Sequence, residues 1–427
     1  MKKLSIYFLF LLFVCTSNNK KVYKDSLTYW CATNPQEYQL AKLLVEKWNK
    51  THTIKVKLQP IPAGNSSEEV IMAAIAGKTT PDIYSNHWPG MTEELRVSGN
   101  LYCLDSIDGA LDFLINRCGD DIVNSFKSKN RHLYQVPWKV NPIMIMYNKD
   151  FFKRRGVNKI PVTYDDFLEA AGKLTYDEDN DGYIDHWAGY RDIRPLWYQR
   201  WFDFYAFYIA ASGGKTLFDK NGKFNLDDDI AIKVFSLFKK IYENGYFPKT
   251  EFQNQPFILK RVIATDICGP WNISTIKYFK VEDLDYGFFK IPVPDTNKVK
   301  QFYTYGDYKN IVIFRTCNMP DSAWEFVKFL ITRKSDLELL KITNQIPVRR
   351  DLLKDSLFIP FFNKHKDLIP FAKQAILTRS INSVPEIKEI FDEISQQWEA
   401  CCIYGVKSPE DAISDLKKRV NLILNEF

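Results

Sequence analysis

Between Ser26 and Asn86 the chain changes its hydrophobic period four times, and that rhythm admits few folds. "SLTYWC" (Ser26 to Cys31) reads as a strand. From Glu37 to Asn49, Leu40, Leu43, Leu44, Lys47 and Trp48 recur at helical spacing, with the Lys stem at the margin of the stripe. "IKVKL" (Ile54 to Leu58) alternates with period two, a strand with one wet face. In "SSEEVIMAAIAGK", Ser66 is placed to cap a helix, Glu69 to reach back to it, and Gly77 to stop it. "PDIYSN" (Pro81 to Asn86) is a third strand. This alternation with short loops predicts a doubly wound parallel unit, and right-handed crossovers give it strand order 2-1-3.

In an open parallel sheet, ligands bind beyond the carboxyl ends of the strands, where strand order reverses. The loop Ala32 to Gln36 follows the first strand, and "NHWPG" (Asn86 to Gly90) follows the third. Both fall at that edge. Two readings stay open for them: one wall of a ligand cleft, or solvated connections.

A second unit begins near Asn141, where "NPIMIMYNKDFFKRRG" is an apolar strand leaving a Pro-containing corner. "TYDDFLEAAGKL" is a helix capped by Thr163 with Asp166 three residues on. "DDDIAIKVFSLFKKIYENG" (Asp227 to Gly245) is a helix ending at glycine. "RVIATDICGPWN" and "YGFFKIPVPD" read as strands, "YKNIVIF" (Tyr308 to Phe314) as another, and "DSAWEFVKFLI" as a helix, with a helical C-terminal third. A length of 427 residues accommodates two domains. The net charge of +6 is spread with acids interleaved, which is a mixed solvated surface and argues against a nucleic-acid footprint.

The N-terminus, "MKKLSIYFLFLLFVC", has Lys2 and Lys3 followed by an apolar run from Leu4 to Val14 that is too short to span a bilayer. It fits a secretory signal peptide over 1–14. "LFVC" resembles the lipobox of bacterial lipoproteins, which implies lipidation of Cys15, a polar tether over 15–25 and anchoring to the cell membrane on its outer side; the alternative is cleavage after Ser17 and release. Seven further Cys show no C-x-x-C pair and no zinc spacing with His, and Cys401–Cys402 are vicinal.

Chemistry-bearing motifs are few. The five His lie in no H-E-x-x-H pattern, and there is no G-x-S-x-G elbow, P-loop or G-x-G-x-x-G. The chain is therefore expected to be a binding protein with no catalytic residues. "DEDNDGYID" matches the first nine places of a calcium loop, with Asp177, Asp179, Asp181, Tyr183 (through its carbonyl) and Asp185 as ligands and Gly182 at the turn. Place twelve is Ala188, so the bidentate ligand is missing from the loop. The readings are a structural Ca2+ site, the one cofactor expected, or an acidic solvated turn. The 31 Phe, 23 Tyr and 10 Trp are mostly core, but Trp88, Trp271 and the segment holding Trp197, Trp201, Phe202 and Tyr205 each lie beside a turn, where flat rings can stack on sugar C–H faces.

Taken in order and spacing, "SLTYWCATNPQE", "AAIAGKTTPDIYSNHWPG", "QVPWKVNPIMIMYNKDFF", "LTYDEDNDGYIDHWAGY", "CGPWN", "YGFFKIPVPD" and "DSAWEFVKFLITRKSD" resemble the carbohydrate-type extracellular solute-binding proteins of ABC importers, the class that includes maltose-binding protein. The resemblance implies two doubly wound α/β lobes joined by a multi-segment hinge: 26–139 plus 308–345, and 140–307 plus 346–427. It implies crossings near Lys139–Ile143 and Phe302–Lys309, with a third near Asn344–Arg349. It places ligand contacts on Thr33, Asn34, Gln36, His87, Trp88, Asn141, Trp201, Trp271, and Asp307 or Tyr308. Asn141 stands where maltose-binding protein has an acid, so that protein's sugar preference does not transfer. The implied partners are a small sugar ligand and the membrane permease of the importer. The alternatives are a secreted carbohydrate-active enzyme and a sensory binding module for another polar solute.

Overall fold

The computed structural model describes residues 26–425 apart from 65, 220, 221, 254, 297 and 298; the signal segment, Cys15 and the tether lie outside the described residues. The strands are β1 (Ser26–Cys31), β2 (Lys55–Pro60), β3 (Ile83–His87), β4 (Val136–Pro142), β5 (Met144–Asn148), β6 (Trp187–Gly189), β7 (Ile263–Cys268), β8 (Tyr286–Phe289), β9 (Thr304–Ile313), β10 (Ile346–Pro347) and β11 (Thr378–Arg379).

The local signals read from the sequence are present. The helix Pro35–Thr51 starts on Asn34, whose Oδ1 accepts from Glu37 N at 2.9 Å. Ser66 Oγ accepts from Glu69 N at 3.2 Å at the start of Ser67–Ala76. At Tyr164–Leu174 the reciprocal box forms: Asp166 N donates to Thr163 Oγ1 at 3.1 Å and Thr163 N to Asp166 Oδ2 at 3.0 Å. The backbone donors hold the Asp166 carboxyl down to about 2.

The first lobe's sheet runs β2-β1-β3-β9-β4-β10, with β11 paired beside β9. β1 is parallel to β2 and β3, in the expected 2-1-3 order. β9 then enters antiparallel between β3 and β4, which extends the parallel unit with strands distant in sequence. Leu27, Tyr29 and Ile83 face one helical layer that includes Leu40, Leu44, Trp48 and Phe326. Trp30, Tyr84 and Val312 face the other layer, with Ile71, Ala74 and Leu95. The second lobe carries a mixed sheet, β6-β7-β5-β8, in which only β6 and β7 are parallel. Around it pack Phe204, Phe207, Phe235, Phe238 and Trp398.

Among the described residues, three segments cross between lobes. The β4–β5 corner and the start of β9 are tied together: Ile143 N donates to Tyr305 O at 3.0 Å and Thr304 Oγ1 to Ile143 O at 2.8 Å. The third crossing is at Thr378–Ser380. β11 pairs with Thr304 and Tyr305, and Tyr205 Oη reaches Ser380 O at 3.0 Å. This corrects both the third crossing expected near Asn344–Arg349 and the lobe boundary at 345. Ile346 pairs with Val140, and Phe358, Phe361, Phe362 and Phe371 are buried in the first lobe's core. An apolar helical pattern fits either core, so sequence periodicity does not assign it.

Candidate functional site

The cleft between the lobes is built from both sides. On the first lobe, the end of β3 delivers His87 and Trp88, β4 delivers Lys139 and Asn141, and β9 delivers Tyr305, Asp307 and Lys309 at alternate positions. On the second lobe, "WYQRWF" (197–202) turns through a 3-10 segment, and Trp271 opens the helix Trp271–Tyr278. Trp88 meets Trp201 at 5.1 Å and Trp197 at 5.5 Å between ring centroids. Trp201 passes the contact to Phe202 (6.4 Å), and Phe202 to Trp271 (5.9 Å). The expected aromatic residues of the two lobes therefore lie in one chain of rings.

Glycines make room for these indoles. A Cβ on Gly90 would lie 1.7 Å from Trp88 Cζ3, and one on Gly269 would lie 2.2 Å from Trp271 Cζ3. Gly90→Ala is expected to displace the Trp88 indole, at about 1–3 kcal/mol of stability, and to weaken ligand binding. Denaturant unfolding together with a ligand titration checks this; an unchanged titration would place the indole outside the site.

Beneath the rings runs a buried polar chain. Lys139 Nζ and Glu37 Oε2 are 2.6 Å apart, with the lysine fully buried. Gln345 bridges onward: its Nε2 donates to Glu37 Oε1 at 2.9 Å, and its Oε1 accepts from Asn141 Nδ2 at 3.1 Å. Asp307 accepts from Tyr305 Oη at 3.3 Å and pairs with Lys309 Nζ at 3.0 Å. Lys309 Nζ lies 5.9 Å from the Trp201 ring centre. Burial works against the Glu37 carboxylate. The charge and hydrogen bond of Lys139, with bonds from Gln345 and Asn34, nevertheless hold its pKa below the usual value. Burial, and then Lys309, push His87 down to about 3, so it is neutral where its Nε2 meets Thr92 Oγ1 at 2.7 Å.

In the second lobe Asp203 anchors the aromatic segment. Its Oδ2 lies 2.9 Å from Arg200 Nη2 and 3.9 Å from Arg191 Nε, and both Arg200 and Asp203 are buried. The Arg200 guanidinium lies 5.2 Å from the Trp398 ring centre, fixing the turn that carries Trp197 and Trp201.

Several expected contacts fall elsewhere. Tyr308 faces the first lobe's core, its ring 4.9 Å from Phe126 and its Oη 2.9 Å from Thr378 Oγ1, because it points away from Asp307 across the strand. Thr33 and Asn34 are exposed, and Asn34 is spent as a helix cap. Gln36 is half-buried in the first turn of that helix. Sequence reasoning missed Glu37, Lys139, Gln345 and Lys309. Lys139 stands in the quoted "QVPWKVNP", two residues before Asn141, so adjacency to a predicted contact was the available signal.

Among the described residues, the polar atoms buried without a protein partner include Trp88 Nε1, Trp201 Nε1 and Asn141 Oδ1 at the junction. Buried polar atoms are normally bonded, so these three are candidates to bond the hydroxyls of a guest. A separate groove of about 1060 Å³, lined by Leu44, Lys47, Phe113, Phe329 and Leu357, lies on the first lobe. Two of its cations, Arg117 and Arg349, are committed to the buried Asp336.

At the acidic turn, donor atoms of Asp177, Asp179 and Asp185 come within 4.8 Å of one another. The turn is already closed by its own bonds: Asp177 accepts from Asn180 N at 2.7 Å and Gly182 N at 2.8 Å, and Asp181 accepts from Tyr183 N at 2.9 Å.

Comparison with known proteins agrees with this geometry. The profile of the bacterial extracellular solute-binding proteins matches residues 44–365. The diacetylchitobiose binding protein DasA of Streptomyces coelicolor is 24% identical, over 77% of this chain and 74% of its own. The crystal structure of an uncharacterized protein from Listeria monocytogenes EGD-e superposes with a TM-score of 0.80 at 25% identity, covering 94% of this chain and all (100%) of that one. The sugar-binding protein MalE of Xanthomonas citri superposes with a TM-score of 0.74 at 19% identity, covering 94% and 98%, and shares the two-lobed fold. DasA and MalE are named as binding proteins. With two α/β lobes, a three-segment hinge and a match over most of its length, this chain belongs to the bacterial extracellular solute-binding protein family.

Proposed function

We propose that the protein is the substrate-binding subunit of an ABC importer, anchored outside the membrane through lipidated Cys15, and that it captures a sugar or oligosaccharide for delivery to a permease. The observation that carries this reading is the convergence of Trp88, Trp201 and Asn141, each with a buried polar atom lacking a protein partner, on the junction of two lobes. Indole faces stack on the apolar faces of pyranose rings, and indole N–H and amide groups bond hydroxyls. A ligand touching both lobes contributes its contacts only when they are together, so it shifts the open–closed equilibrium toward the closed form. No covalent step is required. DasA, named for diacetylchitobiose binding, supports an oligosaccharide class.

Calorimetric titration of the purified protein against neutral oligosaccharides and sugar phosphates tests the reading. One saturable site for a sugar supports it. Binding of none redirects it to another solute, and turnover of a chromogenic glycoside would favour the enzyme alternative. The acidic turn belongs to the same proposal as a structural Ca2+ site held by Asp177, Asp179, Asp181, the Tyr183 carbonyl and Asp185. Melting temperature is expected to rise with calcium and fall with chelator, with the difference abolished in Asp179→Ala; no response to either leaves a solvated turn.

A further inference from the structure

A second cluster of metal-ligating side chains lies on the first lobe, away from the cleft. Cys103, Asp105 and His132 each offer a donor atom, and these three lie within 4.8 Å of one another. The donors are of three chemical kinds. Two loops supply them, and the loops are locked together: Leu104 N donates to Leu133 O at 2.8 Å, and Asp105 Oδ1 accepts from Leu133 N at 2.8 Å. The anchors Leu104 and Leu133 are fully buried. The backbone beneath the donors is therefore fixed before any ion arrives, while the donors stay accessible: Cys103 and Asp105 are half-buried and His132 is exposed.

We infer that Cys103, Asp105 and His132 form a three-ligand site for a borderline-soft divalent cation, zinc above all, with a fourth position open to water. A thiolate with an imidazole selects such an ion over calcium or magnesium, which take all-oxygen shells. In a tetrahedral zinc site, bonds of about 2.0–2.3 Å put neighbouring donors about 3.3–3.8 Å apart, inside the 4.8 Å that spans the present donors. His132 Nδ1 now lies 2.8 Å from Asp105 Oδ2, a hydrogen bond in which one proton occupies the place the ion would take. On binding, the ring's proton passes through solvent from Nδ1 to Nε2 with no net release, and Nδ1 and Oδ2 each bond the metal. The Cys103 thiol gives its proton to solvent and Sγ becomes the third ligand.

The test is titration of the purified protein with Zn2+ and, separately, Co2+. The expected result is one zinc per chain with about one proton released, and a thiolate-to-cobalt charge-transfer band with Co2+. Cys103→Ser is expected to abolish that band, and Cys103→Ser and His132→Ala each to weaken zinc at least about tenfold. Both positions are solvent-accessible, so the metal-free variants are expected to melt with the parent. Asp179→Ala, in the acidic turn, is expected to leave zinc affinity unchanged. Absence of stoichiometric zinc, a cobalt complex with no thiolate band, or equal zinc affinity in Cys103→Ser/His132→Ala would overturn the inference. Because the readout is metal binding, it stands or falls independently of the sugar titration.

Discussion

Glu37→Ala is expected to cost about 3–5 kcal/mol of unfolding free energy, because it leaves the fully buried Lys139 ammonium without its counter-charge. Loss of the Gln345 bond adds to the same network and cannot be counted separately. Denaturant unfolding measures the effect as a lower midpoint at unchanged slope. A companion, Glu37→Ala/Lys139→Met, removes both charges and is expected to recover most of the loss; equal stability of the single variant and the parent would mean that the pair is not buried in solution. Acid sensitivity carries the same signature. The Glu37 pKa is lower folded than unfolded. Its contribution is therefore complete above the unfolded value, about 4.3, and is lost as pH falls through the lower folded value. His87 acts in a higher window. Its folded pKa of about 3 lies below the ordinary value near 6.5, so the unfolded chain takes up the proton first and stability declines as pH falls from about 6.5. Glu37→Ala is expected to flatten the first slope and keep the second.

The second large effect is on binding. Trp201→Ala removes the ring that joins Trp88 and Trp197 to Tyr305 and lies beneath Lys309. An aromatic anchor at the centre of a desolvated contact carries about 2–4 kcal/mol, so sugar affinity is expected to fall about 30- to 1000-fold. Trp201 is itself 5% exposed, and its truncation also costs stability. Trp201→Phe separates the two: it preserves most of the packing and removes Nε1, and is expected to fold like the parent while losing about tenfold in affinity. Full affinity in both variants would remove Trp201 from the site.

Much of the first lobe was legible because its signals are local. Periodicity places β1, β2 and β3, the cap chemistry of Ser66 and Thr163 places helix starts, and handedness fixes the 2-1-3 order. The insertion of β9 between β3 and β4 was not legible, since pairing across more than a hundred residues leaves no local mark. The segment 346–375 was assigned to the wrong lobe for the same reason. Its Phe358, Phe361 and Phe371 show that a core is needed without saying which. The aromatic residues that the structure brings together at the junction were singled out from their place beside turns. The buried charges were not, because Glu37 reads as an ordinary acidic residue of a helix first turn and reveals its role only once Lys139 arrives from β4. Asn34 shows the converse: a residue type suited to a ligand loop is equally suited to a helix cap, and the cap is what forms.

The central claim is that two lobes close on a polar guest and release it unchanged. Small-angle X-ray scattering of the purified protein, with and without the sugar identified by titration, tests it most directly. The expected result is a smaller radius of gyration at saturation that returns to the free value when the sugar is dialysed away intact. An unchanged radius at full occupancy, or a sugar recovered in cleaved form, would contradict it.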